Sequence, residues 1–119
     1  MSIDIGRLLR APTIFNEIRQ MSFSETLYSC GITNESMLTE KDLIDSIMKE
    51  IDIVDIWINY SSDQRIDQGS FFRTVGQEYQ FGFVDKKGHI ESVYLGTDPV
   101  YPCALFIIDK IRELFIDYH

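Results

Sequence analysis

The chain has little of what chemistry and covalent stapling need: two cysteines and two histidines in 119 residues. Cys30 and Cys103 stand far apart and match no metal-ligand spacing. In a reducing compartment they are expected to be buried thiols, not a disulfide. His89 lies beside a polar turn and His119 is the last residue, with no cysteine or acid at ligand spacing from either. Neither a zinc site nor a histidine-activated nucleophile is expected, and Ser29-Cys30 has no evident base beside it. The segment Asp63-Gln64-Arg65-Ile66-Asp67 lacks the spaced oxygen ligands and glycine of a calcium loop. Gly76, Gly82, Gly88 and Gly96 fall near strand ends and form no phosphate cradle leading into a helix. The expectation is therefore a protein with no cofactor, no metal and no catalytic residues. No apolar run approaches the length that spans a bilayer. Met1-Ser2-Ile3-Asp4-Ile5 lacks the basic region and apolar core of a signal peptide, so a cytoplasmic protein without a membrane partner is expected.

Basic residues are also scarce. Eleven lysines and arginines face nineteen acids, for a formal charge of −8. Between Asn34 and Asp67 nine acids stand against three bases, so that segment alone carries −6. The first thirty-three residues balance to zero and the remainder carries −2. With no basic stripe to displace counterions, nucleic acid is not an expected partner. A concentrated negative field favours a basic macromolecule instead.

What is present is ordinary globular material: 45% hydrophobic and 25% charged residues, enough for one domain over 1–119. In Glu78–Asp85, Tyr79, Phe81 and Phe83 alternate with Gln80, Gly82 and Val84, which puts three aromatics on one face of a strand. His89–Leu95 reads as its partner across Asp85-Lys86-Lys87-Gly88, where glycine allows a tight turn. Ser70–Val75 is expected to add a third strand. Ile53–Tyr60 is expected to add a fourth, with Val54, Ile56, Ile58 and Tyr60 on one face and Asp55, Trp57 and Asn59 on the other. From Pro102 to Tyr118 the period changes to that of a helix with one apolar stripe, its charges at Asp109, Lys110, Arg112, Glu113 and Asp117. Pro12 divides an N-terminal helical stretch. Ser24 is the expected N-cap of a short helix ending at Gly31. Thr39 is the expected cap of another, with Leu43, Ile44, Ile47, Met48 and Ile51 as its buried stripe. The fold class expected is α+β: an antiparallel β-meander of about four strands, packed against N-terminal helices and a long C-terminal helix.

Paired carboxylates such as Asp42 and Asp45 are neighbours on a helix. They suit a solvated face as well as a cation or an acid–base pair. Trp57 has two readings. One is core beneath a helix; the other is an exposed anchor ringed by Asp55, Asn59 and Tyr60, as in an interface hot spot.

This profile of small size, α+β layout and acid concentrated in one third of the chain resembles bacterial immunity proteins. These are the antidotes of contact-dependent inhibition and related polymorphic toxin systems. The resemblance lies in the whole chain and not in a motif, so no individual residue is carried over. It implies a cognate toxin domain as partner, often a basic nuclease whose active site is occluded. The partner-binding residues expected on this reading are Asp42, Asp45, Asp52, Asp55, Trp57, Asn59, Tyr60, Asp63 and Asp67. The alternatives are a small ligand-binding domain or enzyme with its pocket near Tyr79, Tyr94 and Tyr101, with His89 or an acid at its wall, and a homo-oligomer paired through Ser70–Val75.

Overall fold

Three helices of the N-terminal half begin where a short polar side chain satisfies backbone N–H groups that have no intrahelical partner. The computed structural model describes residues 4–18, 20–32, 38–63 and 69–116. In α1 (Ile5–Leu9), Asp4 accepts the Arg7 N–H at 3.0 Å. In α2 (Ala11–Glu17), Pro12 occupies the first turn, where its missing N–H costs nothing. In α3 (Phe23–Ser29) the cap is Ser22 and not Ser24: Ser22 Oγ accepts the Glu25 N–H, and Glu25 accepts the Ser22 N–H. The reciprocal box selects Ser22, because it alone has a glutamate three residues on. Gly31, at φ 94°, ends that segment as expected. In α4 (Glu40–Lys49), Thr39 and Asp42 form the same kind of box, at 3.2 and 3.3 Å.

Ile53–Asp63 is a helix, α5, and not a strand. Its buried residues are Ile53, Val54, Trp57, Tyr60 and Ser61, the three-to-four spacing of a helix buried along one side. Asp55, Asn59 and Asp63 recur every four residues on the solvent side. The β-branched residues suggested a strand, but propensity yields to packing on one face.

The sheet therefore has three strands and not four: β1 (Gly69–Val75), β2 (Glu78–Val84) and β3 (Ile90–Gly96), antiparallel in the order β1-β2-β3. Val75 and Glu78 are joined through Gly76, at φ 63°. Phe72, Phe81 and Tyr94 lie opposite one another across the three strands and form the inner face. Against it packs α6 (Val100–Ile116), whose Phe106 ring lies 6.1 Å from Phe72 and 6.4 Å from Phe81. The expected aromatic face and the covering helix are both present. Gly82 is required on the outer face: a Cβ there would run into the Glu91 carbonyl and the Phe71 ring.

α6 touches α4, α5, β1 and β2 and is the centre of the molecule. Leu43 and Ile47 from α4, Trp57 from α5 and Phe106 and Ile107 from α6 are fully buried in one core with Leu8 and Leu27. Lys110 departs from the expected solvated face. It is buried, with its Nζ 3.3 Å from Glu113 and 5.0 Å from the Phe106 ring centroid. Its alkyl stem covers core while its head keeps a carboxylate and an aromatic face. Among the described residues, no helix is long and apolar enough to cross a membrane.

Candidate acidic interface

The acids of the middle third follow α4, the turn Glu50-Ile51-Asp52 and α5. Glu40, Asp42, Asp45, Glu50, Asp52, Asp55 and Asp63 are all exposed, beside Lys41 and Lys49. Their uses differ. Asp42 is committed to its helix, since its carboxylate accepts the Thr39 N–H. Asp52 and Glu50 share Arg10 from the end of α1, at 3.3 and 3.4 Å. That pairing pins the turn and neutralises part of its charge, though exposed pairs of this kind contribute only about 0–1 kcal/mol each. Asp45, Asp55 and Asp63 take part in no salt bridge among the described residues.

Two residues expected to anchor a partner are in the core. Trp57 is fully buried, with its indole N–H donating to the Leu9 carbonyl at 2.9 Å. Tyr60 is buried as well and stacks on Phe23 at 4.3 Å. Burial, followed by the negative charge of Glu113, pushes the Tyr60 hydroxyl pKa well above its ordinary value. Neither ring can reach a partner without unfolding α5. Asn59 is exposed beside Asp55, and Asp67 lies outside the described residues.

The exposed apolar surface is supplied instead by Met48 and Ile51, which were expected in the buried stripe. They are 65% and 56% exposed. At 100° per residue, Met48 lies closer to Lys41 and Asp45 around the helix than to Leu43 and Ile47. Ile51 comes after α4 has ended at Lys49, so it follows the turn and not the stripe. The helical angle of Met48 was available in the sequence; the turn direction at Ile51 was not. Elsewhere on α4, a shallow hollow of about 240 Å³ against α1 is lined by Ile5, Leu9, Ser46, Lys49 and Glu50. Met48 and Ile51 are thus two exposed apolar residues in a stretch rich in exposed carboxylates. A stretch of this charge attracts cationic groups.

A second hollow, of about 270 Å³, lies elsewhere. Ser61 and Ser62 of α5 line it with Phe71, Arg73, Val84 and Ile90 of the sheet. At the position expected for a pocket, between the sheet and α6, Tyr94 packs on Tyr101 at 5.7 Å. His89 is held in the β2–β3 turn, its Nδ1 3.2 Å from Asp85. Both cysteines are free and buried. Among the described residues, no three His, Cys, Asp or Glu side chains are grouped to hold a metal ion.

The fold is that of a small α+β domain whose exposed acids follow α4, the Glu50–Asp52 turn and α5. No family model matches the chain, and comparison with curated proteins and with solved structures returns no match.

Proposed function

We propose that this chain is an immunity-type antidote that binds a basic toxin domain through α4, the Glu50–Asp52 turn and α5. The observation that carries the reading is the exposure of Met48 and Ile51 among Asp45, Asp52 and Asp55. Hot spots are apolar groups that become fully desolvated inside a polar rim, and this surface has that composition. The carboxylates steer a cationic partner and stand in for the phosphates a nuclease would grip. Met48 and Ile51 then set how slowly the complex separates.

The test uses a toxin domain recovered with this chain by pull-down from its source cell, with association followed at low salt. Asp45→Lys with Asp55→Lys slows association about tenfold or more, the scale on which steering acts. Met48→Ala with Ile51→Ala leaves association nearly unchanged and accelerates dissociation. An association rate that ignores both charge reversals would end this reading.

A second reading, a ligand-binding domain, is favoured by the hollow at Arg73. Arg73 takes part in no salt bridge among the described residues and lies over the Phe71 ring at 4.7 Å. A small anion with an apolar body would fit there. Chemical-shift changes confined to Phe71, Arg73 and Ile90 on titrating short-chain carboxylates would favour this reading over the first.

A further inference from the structure

The two edges of the sheet are unlike. The β1 edge is occupied, because α5 packs against it and Ser61 Oγ accepts the Phe72 N–H at 2.9 Å. On the far side of β3 no strand is paired, among the described residues. There Ile90, Val93 and Leu95 are 52%, 51% and 51% exposed. A seven-residue edge strand with three exposed apolar side chains is a template for another strand.

Charge indicates which strand it fits. Lys86 and Lys87 stand at the β2–β3 turn and Asp98 just past the other end, and none of them takes part in a salt bridge among the described residues. A second copy running antiparallel brings each turn, which carries +1 over Asp85–His89, to the other's Asp98. A parallel copy would set like charge on like. The register follows from a bulge. Phe81 pairs with Tyr94 but Gly82 pairs with Ser92, so Val93 is an extra residue. The extra residue reverses the alternation, and Ile90 and Ser92 before it share the outer face with Val93 and Leu95 after it. A two-fold axis between Ser92 and Val93 then sets Ile90 against the partner's Leu95, Ser92 against the partner's Val93 and Lys87 against the partner's Asp98. Without the bulge the same axis would oppose outward and inward side chains.

We propose that two copies of this chain join antiparallel through β3 into one continuous sheet, with the two-fold axis between Ser92 and Val93. The association does not depend on the toxin reading, and it uses a different edge from the Ser70–Val75 pairing expected from sequence.

Sedimentation of the full chain across concentration tests it. The wild type sediments at twice 13.9 kDa as concentration rises. Val93→Lys with Leu95→Lys, both at exposed positions, stays at the single-chain mass with unchanged circular dichroism. Deuterium exchange of the β3 amides slows with concentration in the wild type and not in that variant. Lys87→Glu weakens the dimer about tenfold, because two cross-pairs become repulsive. A bulge and flanking lysines also serve monomeric sheets to block pairing. A wild type that keeps the single-chain mass at every concentration would show that role and overturn the proposal. So would a dimer that survives the double lysine variant, or an unchanged dissociation constant for Lys87→Glu.

Discussion

The indole of Trp57 meets Phe23, Tyr60 and Phe106 edge-on, with centroids about 6 Å away in each case. Its N–H is satisfied by a carbonyl 48 residues earlier, so it ties α5 to the end of α1. Trp57→Phe removes that bond and leaves the Leu9 carbonyl without its donor. The expected loss is about 2–4 kcal/mol, read from urea denaturation. Cys103 is fully buried, and burial raises its thiol pKa far above the ordinary value. A thiol reagent should leave it unmodified in the folded protein and label it after denaturation. At the β2–β3 turn, the Asp85 carboxylate accepts the N–H groups of His89 and Lys87, both at 2.9 Å. The His89 amide is the larger cause of its lowered pKa. Because the folded value is the lower one, the stabilisation is present above the unfolded carboxylate pKa. It is lost as pH falls through the folded value. An NMR titration of the Lys87 and His89 amides should therefore show a midpoint below the usual carboxylate range, and Asp85→Asn should abolish it.

At the scale of the element, caps and charges compete for the same residues. Asp42 belongs to the acidic stretch by composition, yet its carboxylate closes the capping box of α4. Thr39→Ala should cost about 1 kcal/mol in thermal or denaturant unfolding, the usual worth of such a cap. Reversing Asp42 would confuse lost capping with lost steering, which is why Asp45 and Asp55 are the informative positions. The helix α5 carries a strand-like pattern, because Val54, Ile56, Ile58 and Tyr60 alternate as a strand does. The correcting signal was the polar line Asp55, Asn59 and Asp63, four residues apart. In α6 the apolar stripe was legible, but Lys110 was not, because a long side chain can bury its stem and still find a carboxylate one turn away.

For the whole molecule the net charge is uneven. The middle third carries −6 of the −8, while in the sheet and its turns Arg73, Lys86 and Lys87 nearly balance Glu78, Asp85, Glu91 and Asp98. If the acidic face steers a partner, raising salt from about 50 to 500 mM should bring wild type and Asp45→Lys/Asp55→Lys to the same association rate. Screening shortens the field to a few ångströms over that range. The effect of Met48→Ala with Ile51→Ala on dissociation should persist, since apolar contact is not screened.

The linear order of residues was enough to determine the class, the hairpin, the aromatic inner face, the α4 cap and the covering helix. Each of these rests on local periodicity or on contacts a few residues apart. It also determined where the acid is concentrated, because charge adds along the chain whatever the fold. Only the tertiary structure decided which apolar residues face water. Burial depends on what packs opposite: Trp57 found Leu9 and Phe106 across the core, while Met48 and Ile51 stay exposed. It alone decided which sheet edge is open as well, because the closing contact joins Ser61 to Phe72, eleven residues apart and on different elements.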